Sequence, residues 1–228
     1  ELPRLTVYAS EQAHSSIDKA VLTLGIGMEN LRRIPTDGDF RMDVAQLEKT
    51  IESDLAAGAR PIAVVATVGT TSTTSIDPPR AIGRVARKYG LWFHIDAAHA
   101  GAAAICPEFR AAMDGLELGD SLVMNPHKWL FTPKDCSVLF VRDPHALRSA
   151  FSLVPEYLRT SESDATNLMD YGIQLGRRFR SLKLWFVIRT FGVQGLQERI
   201  RFHCRLAKEF ESWVREDGRF ELSAPVPF

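Results

Sequence analysis

The sequence lacks an excess of charge, a cysteine framework and long hydrophobic runs. Its 228 residues carry 28 Lys and Arg against 28 Asp and Glu, so no overall field favours nucleic acid or an anionic membrane. The three cysteines, Cys106, Cys136 and Cys204, are widely spaced. This spacing argues against a disulfide framework or a cysteine-based zinc site and favours a cytoplasmic location. No apolar run approaches the length of a membrane span.

What the sequence does contain is an ordinary globular composition, with 45% hydrophobic residues. It opens on a strand-like run without an initiator methionine and closes soon after a second such run at 219–223. We therefore expect an internal piece of a longer protein.

Apolar, β-branched runs alternate along the chain with patterns of helical period. We predict strands at 5–8, 31–34, 61–68, 91–95, 120–124 and 136–141. We predict helices at 10–24, 43–57, 78–89, 176–191 and 195–214, with Trp185, Ile188, Leu196, Ile200, Leu206, Phe210 and Trp213 as core of the last two. This alternation predicts an α/β fold with a mostly parallel sheet covered by helices on both faces.

Four residues that can carry chemistry follow different predicted strands. His14 is expected in the first turn of a helix opening at Ser10, while Thr71, Asp96 and Lys128 follow later strands. The loops after parallel strands share one edge of the sheet, so we expect these four side chains to converge there.

Lys128 stands in the polar stretch Met124-Asn125-Pro126-His127-Lys128-Trp129, between two runs predicted to be buried strands. A desolvated lysine tends toward the neutral amine that forms Schiff bases. A loop lysine with its head in solvent is the alternative from this stretch alone.

A cofactor with an aldehyde, a pyridine nitrogen and a phosphate suits the whole set of residues. Asp96 can keep a pyridine nitrogen protonated, His14 can stack on the ring and Ala98 can pack on its other face. Thr71 and Asn125 can donate hydrogen bonds to such a cofactor. Taken singly, each polar residue is also compatible with a cap, turn or structural role. Zinc binding through His14, His127 and Cys106 lacks ligand spacing.

Several motifs together resemble the group II pyridoxal-phosphate decarboxylases, and within them the aromatic-L-amino-acid decarboxylases. They are Asn125-Pro126-His127-Lys128-Trp129, Asp96-Ala97-Ala98, Gln12-Ala13-His14-Ser15-Ser16, Ile105-Cys106-Pro107-Glu108-Phe109-Arg110, Asp135-Cys136-Ser137 and 175–183. The resemblance implies a fold type I large domain that binds pyridoxal 5'-phosphate. It implies that Lys128 holds the cofactor covalently, Asp96 pairs with the pyridinium and His14 stacks on the ring. It places Thr71, Ala98, Asn125 and His127 at cofactor-site positions.

The resemblance also implies a mobile catalytic loop at about 153–172, with Tyr157 as the general acid. It implies a large domain at 1–190 that is incomplete at its N-terminus, followed at 191–228 by a connecting helix and the start of a small C-terminal domain. A homodimer with the active site at the subunit interface is expected, and the isolated piece is expected to be inactive.

The implied reaction is decarboxylation of an aromatic L-amino acid to its amine and carbon dioxide. Relatives that make aldehydes tend to carry phenylalanine in place of Tyr157, so this tyrosine favours decarboxylation. An aromatic aldehyde synthase, a decarboxylase of another amino acid and an inactive scaffold remain alternatives. His99, where the family usually has tyrosine, and Lys134, where animal members often have phenylalanine, leave the substrate preference open.

Overall fold

The computed structural model describes residues 3–152 and 166–228. Within these residues one six-stranded sheet has the order β2-β1-β3-β4-β5-β6. The strands are β1 (Leu5–Ser10), β2 (Leu31–Ile34), β3 (Arg60–Thr67), β4 (Trp92–Asp96), β5 (Ser121–Met124) and β6 (Val138–Val141). The pairs among β1 to β5 are parallel, and β6 runs antiparallel to β5. The predicted mostly parallel sheet is confirmed.

Helices connect the strands and begin and end largely where local chemistry predicts. They are α1 (Ser16–Thr23), α2 (Val44–Ala56), α3 (Pro79–Tyr89), α4 (Pro126–Trp129), α5 (Pro144–Phe151) and α6 (Arg180–Glu216). Asp43 caps α2, because its carboxylate accepts the amides of Ala45 at 2.9 Å and Gln46 at 3.1 Å. Gly90 ends α3 in the left-handed conformation, with φ of 66°.

Apolar side chains are buried on both faces of the sheet. The larger cluster joins the sheet to α2, α3 and α6, and it includes Ile51, Ile82, Phe93, Ile95 and Ile200. On the opposite face a smaller cluster joins Val21 of α1 to Val7, Ala9, Leu31 and Val65. Because the strands present alternate residues to the two faces, both layers of helix find apolar partners. No helix in the described ranges is long and apolar enough to span a membrane.

The first helix begins later than predicted. Ser10 still belongs to β1, and its hydroxyl accepts the amide of Gln12 at 3.0 Å. The carbonyl of Ser10 accepts the amide of Ala13 at 2.9 Å, so the chain makes a turn before α1 starts at Ser16. The side-chain hydrogen bond of a serine competes with helix formation here. His14 consequently lies in the turn before the helix, and its predicted place in the first helical turn is wrong.

The C-terminal helices predicted at 176–191 and 195–214 are joined into α6, which bends at Gly192 with φ of 62°. Leu196 and Ile200 are buried, as predicted. For the other predicted core residues the prediction of burial is wrong in the described part of the chain. Each of them is more than 40% exposed there: Trp185, Ile188, Leu206, Phe210 and Trp213. The expected boundary between 190 and 191 falls inside α6. Residues 219–223, predicted as a strand, form no regular element.

The last strand is less buried than its sequence predicted. Leu139 and Phe140 of β6 are 51% and 56% exposed, because β6 pairs only with β5 within the described sheet. Of the expected mobile loop at 153–172, residues 153–165 lie outside the described ranges. The remainder contains a short 3-10 turn, Leu168–Tyr171, in which Asp170 is buried.

Candidate active site

A cavity of about 230 Å³ lies at the carboxyl ends of the strands and brings the predicted residues together. His14 follows β1, Thr71 follows β3, Asp96 ends β4, and Lys128 follows β5. All four line the cavity, as does Ala98. The remaining lining residues are Thr67, Gly69, Thr70, Thr74 and His99. The predicted convergence at one edge of the sheet is confirmed.

Lys128 lies on α4, a single helical turn that begins at Pro126 directly after β5. Proline at the first helical position has the required backbone angle and no amide that needs a partner. The amide of Lys128 donates to the carbonyl of Asn125 at 2.8 Å. The Lys128 side chain is exposed, so the desolvation expected of this lysine is not provided by the described residues. Its amine is accessible to a ligand in the cavity.

Asp96 lies at the floor of the cavity and is only 8% exposed. Its Oδ1 accepts the amide of Ala98 at 3.1 Å, and its carbonyl accepts the amide of Val68 at 2.8 Å. No residue in the described ranges donates a hydrogen bond to Oδ2. One carboxylate oxygen is thus held by the following turn, and the other is available to a cationic donor.

Thr67 is a cavity residue that the sequence analysis missed. It pairs in register with Asp96 across β3 and β4, and it is 3% exposed. Its buried Oγ1 has no hydrogen-bond partner among the residues that the structure describes. An unpaired buried hydroxyl costs about 1–3 kcal/mol, and this one lies on the strand beside Asp96. The sequence feature that could have indicated Thr67 as a site residue is its place as the polar residue directly after the apolar run 61–66.

The loop after β3 approaches the turn after β4 closely. Gly69 has φ of +85°, and a Cβ on it would lie 2.7 Å from the Cβ of Ala100. Only glycine permits both the backbone conformation and this approach. Within the loop, the hydroxyls of Thr70 and Thr73 lie 2.8 Å apart, and Thr73 Oγ1 donates to Ser75 Oγ at 3.0 Å. These bonds hold the loop that carries Thr71 at the cavity wall.

His14 is exposed and borders the cavity from the β1 side. The amide of Ser16 donates to its Nδ1 at 3.1 Å. A nitrogen that accepts a hydrogen bond carries no proton, so the neutral ring carries its proton on Nε2. The turn before α1 therefore sets both the place and the tautomer of this imidazole.

His99 forms another part of the cavity wall and stacks on Trp129, with ring centroids 5.2 Å apart and planes at 12°. The indole nitrogen of Trp129 donates to Nδ1 of His203 on α6 at 3.1 Å. Burial lowers the pKa of His99, and the positive charge of Lys128 lowers it further. The wall beside Lys128 is therefore a neutral imidazole at neutral pH.

Two predicted cofactor residues, Asn125 and His127, are not among the residues that line the cavity. Oδ1 of Asn125 accepts the hydroxyl of Ser137 at 2.6 Å. Nδ1 of His127 lies 2.5 Å from the carbonyl oxygen of Cys136. Both side chains tie the turn around Lys128 to the segment before β6, and their contacts with a cofactor stay predictions. Tyr157 lies outside the described residues.

Comparison with known proteins assigns the chain to a known family. A model of the pyridoxal-dependent decarboxylase conserved domain matches residues 2–227. The chain belongs to the pyridoxal-dependent decarboxylase family. The resemblance stated from the sequence motifs is thereby confirmed, together with the pyridoxal cofactor that the family uses.

Individual relatives agree with this assignment. An aromatic-L-amino-acid decarboxylase of Bos taurus is 50% identical over 228 residues, covering 99% of this chain and 46% of the relative. A phenylacetaldehyde synthase of a Rosa hybrid cultivar is 48% identical over 232 residues, covering 100% of this chain and 46% of the relative. A crystal structure of Oryza sativa TDC with PLP and tryptamine superimposes with a TM-score of 0.94 at 48% identity. The match covers 97% of this chain and 46% of that structure's chain. The chain spans about half the length of the curated relatives that it matches.

The residues of the cavity fit the ring end of pyridoxal phosphate. Lys128 offers an amine for an aldehyde, and Asp96 offers a buried carboxylate for a protonated pyridine nitrogen. The donor set therefore matches the chemistry of the family's cofactor.

Proposed function

We propose that the full-length protein uses pyridoxal phosphate to decarboxylate an aromatic L-amino acid, releasing the amine and carbon dioxide. The observation that carries this proposal is a cavity that both Lys128 and Asp96 line. The family match gives the cofactor, and the Bos taurus relative supports the substrate class.

Two residues of the cavity, Lys128 and Asp96, have the central tasks in this proposal. Lys128 would hold the cofactor through its amine, which can form an imine with the aldehyde. Asp96 holds the proton on the pyridine nitrogen, since its buried carboxylate favours a cation at hydrogen-bond distance. Bound pyridoxal phosphate supplies a ring that takes up the electron pair released with carbon dioxide.

The remaining site residues orient the reactants and move a proton. His14 stacks on the ring from one side, and Ala98 leaves room for it on the other. Thr71, Asn125 and His127 contribute hydrogen bonds to the cofactor or to the turn that carries Lys128. Tyr157 donates its hydroxyl proton to the substrate carbon that loses carbon dioxide, and solvent restores that proton.

An aldehyde synthase is the second candidate, and the Rosa relative at 48% identity supports it. A tyrosine hydroxyl can protonate the substrate carbon, whereas phenylalanine cannot, so Tyr157 favours the amine as product. In the full-length protein we expect Tyr157→Phe to reduce amine formation at least a hundredfold, within the range typical of a lost general acid. Amine, aldehyde and peroxide should be quantified in the same reaction, with Tyr89→Phe at the end of α3 as the matched control.

The two products separate the candidates. Amine and carbon dioxide in equal amounts from the unchanged protein support the decarboxylase. Aldehyde with peroxide from the unchanged protein supports the synthase and contradicts the first proposal. An amine yield that Tyr157→Phe leaves unchanged contradicts the role of Tyr157.

The proposal extends to assembly and location. We infer that two copies of the full-length protein form a homodimer with the active site at their interface, and that it acts in the cytoplasm. Three widely spaced cysteines, all buried and free, are compatible with a reducing compartment. Light scattering of the full-length protein tests the dimer, and a monomeric mass that retains full activity contradicts a site shared between subunits.

A further inference from the structure

The loop at 68–76 leaves the sheet after β3 and returns to it at a narrow neck. At this neck Val68 and Ile76 form an antiparallel bridge, and the amide of Asp77 donates to the carbonyl of Thr67 at 3.0 Å. Besides Thr71, the loop supplies three further residues of the cavity wall: Gly69, Thr70 and Thr74. Whatever holds the neck therefore also holds this wall of the cavity.

The carboxylate of Asp77 closes the neck with a side-chain hydrogen bond. Its Oδ2 accepts the amide of Thr67 at 2.8 Å. β1 pairs with β3 only as far as Ala9 and Val65, so Thr67 lies beyond the last pair of that ladder. Asp77 thus takes the place of a neighbouring strand, because it bonds both the amide and the carbonyl of Thr67.

The other oxygen of the same carboxylate fastens the neck to the segment before α2. Oδ1 of Asp77 accepts the amide of Met42 at 2.7 Å, and the Met42 side chain belongs to the larger apolar cluster. The hydroxyl of Ser75 adds a second tie, because it donates to the carbonyl of Asp39 at 2.7 Å. Asp77 itself is fully buried, so water does not replace it as the acceptor for these two amides.

Asp77 is not among the residues that line the cavity, so its effect on a ligand passes through the loop. The amides of Gly69 and Thr70 both donate to the carbonyl of Ser75, at 3.1 and 3.0 Å. Thr71 follows directly at the tip of the loop, and its side chain is exposed. The backbone below Thr71, rather than packing around its side chain, fixes where its hydroxyl lies.

We propose that Asp77 is a positioning residue of the cavity, whose carboxylate fastens the neck of the loop 68–76 to the segment before α2 and so keeps Thr71 at the wall where the cofactor binds. The inference rests on the proposed function, in which Thr71 contributes a hydrogen bond to pyridoxal phosphate. A loosened neck lowers the fraction of molecules whose wall is in place, and the apparent affinity for the cofactor falls by that fraction.

The first measurement separates cofactor affinity from turnover in the full-length protein at about pH 7.5. Asp77→Asn keeps the shape of the side chain but replaces one acceptor oxygen with an N–H donor. We expect the dissociation constant of pyridoxal phosphate to rise about tenfold, the order of one lost hydrogen bond to a charged group. At saturating cofactor kcat should be unchanged, because binding draws the loop back into place. A general loss of folded protein would instead lower kcat and leave the affinity of the remainder unaltered.

Asp43→Asn is the matched control. Asp43 also accepts two backbone amides, but they belong to Ala45 and Gln46 at the start of α2. We expect its dissociation constant for pyridoxal phosphate to equal that of the unchanged protein. An unaltered dissociation constant in Asp77→Asn, or the same rise in both variants, overturns the inference.

The second measurement is amide hydrogen exchange in the full-length protein without cofactor. Asp77→Asn should speed exchange in the loop 68–76 about tenfold and leave α3 unchanged. Equal acceleration in α3, or none in the loop, overturns the inference. In the unchanged protein the amides of Met42 and Thr67 should be as protected as those of β4, and rapid exchange there overturns it without any variant. If the unchanged protein binds no pyridoxal phosphate, the proposed function fails, and the exchange rates still decide whether Asp77 holds the loop.

Discussion

Asp77 connects the pH dependence of stability to the strand that carries Thr67. Its side chain is fully buried, and it accepts the amides of Met42 at 2.7 Å and Thr67 at 2.8 Å. Burial raises the pKa of Asp77 to about 6, and the two backbone hydrogen bonds only partly offset this effect.

The sign of the change in stability with pH follows from whether the folded or the unfolded protein holds the proton of Asp77. Between the ordinary pKa of 3.8 and about 6, the folded protein keeps a proton on Asp77 that the unfolded chain has lost. Stability is therefore greatest below this window, falls as pH rises through it and changes no further above it. A pKa raised by roughly 2 units corresponds to about 3 kcal/mol at 1.36 kcal/mol per unit.

The assay compares the full-length protein with its Asp77→Asn variant in urea at about pH 4 and about pH 7. The variant cannot titrate at this position, so the difference between the two unfolding free energies isolates Asp77. That difference should move by about 2 kcal/mol in favour of the variant on going from the lower to the higher pH, because Asp77 of the unfolded chain is already partly ionised at about pH 4. The variant itself should be less stable at low pH, because its amide group faces a backbone donor. Parallel pH profiles for the two proteins would refute the reasoning.

Two further changes test the packing around the site. Gly69→Ala should lower the free energy of unfolding in urea by about 2 kcal/mol more than Gly58→Ala does. Both glycines have positive φ, but only at Gly69 does the new Cβ meet Ala100. Equal losses in the two variants would contradict the close approach. Tyr8→Phe should cost about 1–3 kcal/mol in the same assay, since the hydroxyl of Tyr8 donates to the buried carboxylate of Asp54 at 2.8 Å. No measurable loss would show that this hydrogen bond contributes little.

Local chemistry made most of the fold predictable. The cap at Asp43, the left-handed Gly90 and the apolar run that forms β3 each determine structure over a few residues. The alternation of strands and helices then predicts a parallel sheet, because helices that connect parallel strands bury both faces of the sheet. The predicted start of the first helix was wrong because the hydroxyl of Ser10 accepts the amide of Gln12. Such a side-chain hydrogen bond competes with helix formation, and helical periodicity does not reveal it.

The aromatic residues of α6 show a different limit. Their helical spacing was read correctly, yet Trp185, Phe210 and Trp213 are exposed in the described part of the chain. A periodic stripe predicts an apolar face but not the surface that covers it.

The candidate site was predictable only where residues follow strands. His14, Thr71, Asp96 and Lys128 could be brought together from the order of the elements alone. The place of Thr67 beside Asp96 depends on the register between neighbouring strands, which the sequence does not reveal. Cofactor contacts of Asn125 and His127, and the role of Tyr157, stay predictions.

The central claim is that Lys128 holds pyridoxal phosphate in the cavity whose floor is Asp96. Borohydride reduction of the full-length protein loaded with the cofactor, followed by peptide mapping, tests it most directly. Reduction fixes the carbon–nitrogen link between an amine and the aldehyde. We predict a pyridoxyl group on Lys128 and none on the neighbouring Lys134, which does not line the cavity. A pyridoxyl group on any other lysine, or no modification, would contradict the account.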